Sequence, residues 1–403
     1  MKSKLAFLSL AGLVLFAALF VLVCVFPANG RGDFELRMNE LACLRQGVDP
    51  FAVWHEDVVF PPYRSNIPKT EIKPGCTEQV NAYVPWAYTL MLPLSFLARP
   101  VAWTVYCVLM GVAILLLFRI ARRWGGEDDN QNALFQAAFP LLVVSYLLWS
   151  NAAIGNVIVF VLMASVLMAW CLVRGYDALA GLCWTVAMVK PQSAILFAIP
   201  LLLRGRWKAC AVAAGTCVVA TFLPMHMCGS TFVDLLKAGP AANAELFLGC
   251  GTWPRFLLGS AEYEIGIALG IGALLCLAMT FCLRRERDWM TLLMPAAICG
   301  ASWTYTQAYS HAMGWFLAFV LVRELVRNPR SRFLWTMLGL SAFFLSRWFL
   351  AWHGLCNFAG WRFPMSDYAY DCLNSLNSTA SLALAAVFCT WKARNATEVS
   401  AAC

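Results

Sequence analysis

Acidic side chains are scarce in this chain, with 22 Asp and Glu against 30 Lys and Arg among 403 residues. Charge of either sign makes up only 13% of it. There is no compact Asp/Glu cluster of the kind that holds Mg²⁺ or Mn²⁺. The C-x-x-C spacing of zinc sites, the H-E-x-x-H of metalloproteases and the P-loop are all missing. No long low-complexity stretch and no obvious repeat occurs. A bound metal or a nucleotide held on a glycine-rich loop is therefore not expected, and no cofactor is.

What fills the space is apolar. Hydrophobic residues make up 61% of the chain, and its mean hydropathy is +0.68. The apolar runs approach the roughly 20 residues that span a bilayer, which predicts an all-α, polytopic membrane helix bundle in a single integral membrane domain, 1–403. The net charge of +8 is carried in short clusters between apolar runs, the pattern of cytoplasmic loops and not of a nucleic-acid surface. Membrane lipids are expected partners and nucleic acid is not.

Lys2 and Lys4 precede the apolar run Leu5–Phe26, which reads as an uncleaved first helix with a cytoplasmic N-terminus. The remaining basic clusters are Arg119/Arg122/Arg123, Arg174, Arg204/Arg206/Lys208, Arg284/Arg285/Arg287, Arg323–Arg332 and Lys392/Arg394. Holding all of them inside requires crossings near 5–27, 101–119, 133–149, 156–173, 178–190, 193–203, 209–224, 265–283, 289–304, 308–322, 333–350 and 377–391. That topology has about 12 transmembrane helices and places loops 28–82, 225–262 and 351–376 outside. The pair 178–190 and 193–203 is short for two full spans at 1.5 Å per residue, and Tyr83–Leu97 reads as a re-entrant or interfacial helix. All four histidines border the outer face, and six outer cysteines fall two per loop, as Cys43/Cys76, Cys228/Cys250 and Cys356/Cys372. Such pairs suit local disulfides in an oxidising compartment.

Lys190 lies between the apolar runs Leu179–Val189 and Ala194–Leu203. A lysine at the centre of a spanning helix costs about 2.5–3.5 kcal/mol on insertion scales. Pro191 removes a backbone donor and disfavours helix at Lys190, so the sequence predicts a broken helix carrying a cation. That combination suits a phosphate or a carboxylate, against the alternative of a lysine that snorkels to the headgroups. In the first outer loop, Glu35–Gln46 reads as a short amphipathic surface helix with Leu36, Leu41, Ala42 and Leu44 on its apolar side, stopped by Gly47. Asp33 at its start is either a helix N-cap or a catalytic base.

The order Gly32-Asp33-Phe34, Gly47-Val48-Asp49-Pro50-Phe51, Tyr83-Val84-Pro85 and Leu92-Pro93-Leu94 is followed by Gly155-Asn156, Gly181, Lys190-Pro191 and the basic Arg204–Lys208 turn. Over roughly residues 5–325 this resembles glycosyltransferase family 87, membrane enzymes of the GT-C fold class that include mycobacterial mannosyltransferases. Gly155-Asn156 stands where the family commonly has Gly-Gln, Tyr83-Val84-Pro85 where it has Tyr-Pro-Pro, and residues 57–80 read as an insertion. The resemblance implies a polyprenyl-phosphate sugar donor, mannose-like, and a lipid or glycan acceptor on the exoplasmic face of a bacterial inner membrane. It implies Asp33 as the base and Lys190 with His311 at the donor phosphate. Asp49, Tyr83, Asn156, Gln192 and Arg255 are possible substrate contacts, with helix packing the plainer reading of Asn156 and Gln192. The competing readings are a transporter or flippase of a lipid-linked sugar, and a non-catalytic partner in envelope assembly.

Overall fold

The computed structural model describes residues 32–47, 58–59, 64–65, 83–124, 154–233, 264–302, 312–346 and 367–402, with isolated positions at Val14 and Ala18. Apart from one short hairpin, β1 (Val58–Val59) against antiparallel β2 (Arg64–Ser65), its regular structure is helical. The N-terminal part contributes α1 (Gly32–Arg45), α2 (Pro85–Met91), α3 (Arg99–Trp124), α4 (Ile158–Val173) and α5 (Asp177–Ala187). The chain then breaks into α6 (Pro191–Ala194), a 3-10 turn (Ile195–Phe197) and α7 (Ala198–Leu203), before the long α8 (Trp207–Cys228). The C-terminal part is α9 (Glu264–Cys282), α10 (Trp289–Ser302), α11 (Trp315–Arg327), α12 (Arg332–Ser346) and α13 (Asp367–Ala402).

This is a helical membrane protein. Among the described residues, α3 over Arg99–Leu117 and α8 over its whole length are long and apolar enough to cross a bilayer, and six other helical stretches are apolar but shorter. Helices stand where the sequence expected crossings from 101–119 and from 156–173 onward; 5–27 and 133–149 lie outside the described residues. The outer faces of α3 and α8 stay apolar and exposed, as at Val108, Leu115, Val219 and Phe222, which is the surface lipid would cover.

Two bodies of packing meet across α10. In the first, α5 lies against α4 and α8, and Gly181 permits the second contact: a Cβ there would fall 2.5 Å from the Ala209 carbonyl oxygen. In the second, α10 sits among α9, α11 and α13. It also leans on α4 and on the break at 190–197, where a Cβ at Gly300 would stand 2.9 Å from the Ser193 oxygen. The break takes the form its residues dictate. Lys190 leaves the helical region at φ −116°, and Pro191 opens the next turn at a position where its missing N–H costs nothing.

Three expectations change. The first-loop helix starts at Gly32, three residues earlier than the sequence suggested. It is also no surface helix: Phe34, Met38, Leu41 and Leu44 are buried, while Leu36 and Ala42 are only half-buried. The reason is that α3 and the residues around Gly155 supply an aromatic wall, in which the Phe34 ring meets Trp103 at 5.1 Å and Tyr106 at 5.3 Å. Third, Cys228 is a free thiol that donates to the Pro224 carbonyl at 2.9 Å and is not bridged to Cys250. Cys76, Cys250 and Cys356, together with the side chain of Cys372, lie outside the described residues.

Candidate functional site

Asp33 occupies the first turn of α1 and is half-buried. Helix α1 begins one residue before it, and its carboxylate is engaged across the bundle and not on its own helix: Asn156 Nδ2 donates to Asp33 Oδ2. Asn156 is fully buried, and its other side-chain atom, Oδ1, accepts from the Ile158 backbone N–H at 3.0 Å, satisfying the first donor of α4. One amide thus fastens the acid to a helix end. The turn before it is equally constrained. Gly155 has φ +73°, its carbonyl accepts from the Tyr106 hydroxyl at 2.9 Å, and a Cβ there would stand 2.5 Å from Phe34 Cβ. Only glycine lets α1 come this close.

Lys190 approaches the same place from the helix break. It is 3% exposed, and its Nζ lies 5.8 Å from the centroid of the Tyr83 ring. The snorkelling alternative is therefore not what the structure holds, because the ammonium is turned inward. Tyr83 is buried too, and Arg37 lies over its ring at 4.4 Å, so two basic side chains stand near the phenol ring. Trp86 ties this corner to the break by donating to the Met188 carbonyl at 3.1 Å.

Arg37 and Glu40 belong to the same cluster and were not anticipated. Both are almost completely buried, at 3% and 2% exposure. Arg37 Nη1 lies 2.7 Å from Glu40 Oε2, and the Tyr88 hydroxyl donates to the same oxygen at 2.9 Å. The charge contact is poorly aligned for hydrogen bonding, and Arg37 Nε and Nη1 and Glu40 Oε1 have no hydrogen-bond partner among the described residues. Burial pushes the Glu40 carboxyl up to about 7, against the opposing pull of Arg37 and the Tyr88 hydroxyl. A signal was available: Arg37 and Glu40 follow Asp33 at helical spacings of four and seven, on one face. Tracing only the apolar residues of α1 hid it.

The structure therefore brings together Asp33, Asn156, Tyr83 and Lys190. Gln192 is half-buried in α6 beside the break. His311, Asp49 and Arg255 lie outside the described residues. Among the described residues, no three His, Cys, Asp or Glu side chains converge in a way that could hold a metal ion.

Such a constellation offers a carboxylate that can take a proton, held by an amide, with a buried ammonium facing the same space. Residues 81–345, more than half of the chain, match glycosyltransferase family 87. The chain belongs to that family. It is accordingly a glycosyltransferase, a membrane enzyme with a sugar donor and an acceptor. Comparison with curated proteins and with solved structures finds no match. The matched region of this family 87 enzyme contains Tyr83, Asn156, Lys190 and Gln192, whereas Asp33 and α1 precede it.

Proposed function

We propose that this glycosyltransferase moves a mannose-like sugar from a polyprenyl monophosphate to a hydroxyl of a lipid or glycan acceptor, on the exoplasmic face of a bacterial inner membrane. The whole chain acts as one membrane domain of about twelve spans, and no metal takes part. The observation that carries this reading is the buried Lys190 on a helix break, beside Tyr83 at the corner where Asn156 holds the Asp33 carboxylate.

The chemistry follows from those groups. Asp33 takes the proton of the acceptor hydroxyl as its oxygen attacks the anomeric carbon. The bond from that carbon to the phosphate oxygen breaks on the opposite face, so the configuration inverts. Lys190, with His311, stabilises the negative charge that develops on the departing polyprenyl phosphate. A monophosphate carries less charge than a nucleotide pyrophosphate, and one or two cations suffice for it. The basic clusters at the other ends of these helices support an exoplasmic site.

Asp33→Asn tests the assignment. An Asn at position 33 can still accept from Asn156 Nδ2 but cannot take a proton. The purified variant, given polyprenyl-phosphate mannose, should bind donor and lose about 10²–10⁴-fold in turnover. Wild-type turnover in that variant would remove Asp33 from the reaction. Transfer from a nucleotide sugar without lipid donor, or complete loss of transfer with EDTA, would contradict the donor and the metal independence.

A further inference from the structure

The far end of α4 holds a cavity. It measures about 380 Å³, within the roughly 300–1,000 Å³ typical of small-molecule sites. The 16 residues of α4 separate it from Asn156 by about 24 Å at 1.5 Å per residue, so it is distinct from the Asp33 site. Trp170 and Val173 form an apolar wall, and four arginines line the rest together with Glu286 and Asp288.

Both acids are already neutralised. Glu286 is paired with Lys392 at 3.2 Å and accepts from the backbone N–H of Arg287 and Asp288. Asp288 is paired with Arg323 and caps α10 through the Thr291 N–H at 3.0 Å. Arg327 pairs with Glu324 at 3.1 Å, a carboxylate that Lys392 also reaches at 2.8 Å. Arg174 and Arg287 have no acidic partner among the described residues; Arg174 lies over the Trp170 ring at 4.9 Å. Among the described residues, the cavity therefore presents two guanidinium groups without an acidic partner beside an apolar wall. Arginines that served only to keep this end of the bundle on one side of the membrane would not need to converge on a cavity.

We infer that this cavity binds a phosphate group, carried by the headgroup of an anionic membrane lipid. A guanidinium fork matches phosphate oxygens, and basic pockets between membrane helices suit such headgroups. The exposed Val173 and the Trp170 ring give the glycerol and upper acyl chain an apolar surface. A free phosphate would use the same arginines but not that wall.

The full-length protein in nanodiscs of phosphatidylcholine with a minor share of phosphatidylglycerol provides the test, read by native mass spectrometry. Wild type should retain phosphatidylglycerol selectively, and Arg174→Gln with Arg287→Gln should lower that retention roughly tenfold. Arg174→Lys with Arg287→Lys keeps the charge but not the fork and should keep part of the retention, which separates lost binding from lost folding. Arg284, exposed in the same turn and stacked on Phe281 at 4.6 Å, does not line the cavity. Arg284→Gln should leave retention unchanged; an equal loss there would reduce the effect to diffuse surface charge and overturn the site. Unchanged retention in the double Gln variant would overturn it too. In a second arm, millimolar inorganic phosphate should fail to stabilise wild type in phosphatidylcholine alone. Stabilisation that the double Gln variant abolishes, without selective lipid retention, would assign the pocket to free phosphate and overturn the lipid.

Discussion

The two ends of α4 are built on the same backbone device and use it differently. Gly155 before the helix has φ +73°, and Gly175 after it has φ +74°. A Cβ at Gly155 would strike Phe34 and Trp103, whereas one at Gly175 would meet nothing within 4 Å. The charges follow the same division. At the Gly155 end, Arg37 and Glu40 are buried with unsatisfied atoms, beside Asp33 and Lys190. At the Gly175 end, the carboxylates are paired and Arg174 and Arg287 are exposed, although Arg323 Nη1 is also buried without a hydrogen-bond partner among the described residues. Buried polar groups without partners are expensive, and a protein keeps them where a ligand or a reaction uses them. The larger share of such atoms at the Gly155 end is in keeping with the chemistry proposed there.

The largest effect should come from Lys190→Gln, which removes the cation proposed for the leaving phosphate. A fall of about 10²–10³-fold in kcat/KM for polyprenyl-phosphate mannose is expected, with the folded yield preserved. A loss of less than threefold would end the distinction between the two ends.

Next come the glycines. Gly155→Ala combines a left-handed backbone with a collision, and about 2–4 kcal/mol of destabilisation is expected, seen as a lower unfolding temperature and lost activity. Gly175→Ala meets strain alone and should cost about 1 kcal/mol with full activity. Equal unfolding temperatures for the two would show that α1 does not press on Gly155.

A smaller effect tests Glu40. Its carboxyl is at about 7 in the folded protein, above the value of 4.5 for an ordinary glutamate. Between those values the folded state holds a proton that the unfolded chain has released, so this group's contribution to stability falls as pH rises from about 4.5 to about 7. Subtracting the Glu40→Gln unfolding temperatures from those of wild type should give a downward slope across that window. A flat difference would mean that Glu40 is ionised throughout. The smallest effect belongs to Arg206→Gln at the other end. The Arg206–Asp177 pair at 3.1 Å is partly exposed, and its removal should cost about 0–1 kcal/mol and no activity.

Much of the bundle was legible in the sequence, because alternating apolar runs and basic clusters record helix positions directly. The Lys190–Pro191 break was legible for the same reason, since a proline after a lysine inside an apolar run has few structural outcomes. Asn156 was less so. Read alone it is a packing amide, and only the fold shows that its two side-chain atoms serve a helix start and Asp33 together. Arg37 and Glu40 were hidden by their own charge. Polar residues next to leucines suggest a surface helix until another helix is seen covering them.

Lys392, whose ammonium reaches both Glu286 and Glu324, has a consequence for biogenesis. Glu324 is 4% exposed and enters the bundle on α11, while its lysine is synthesised two helices later on α13. Until α13 arrives, the carboxylate has Arg327 and not the lysine that completes its surroundings. A helix made after α11 and α12 thus completes a contact begun before it, and an insertion intermediate that lacks α13 carries an incompletely neutralised acid.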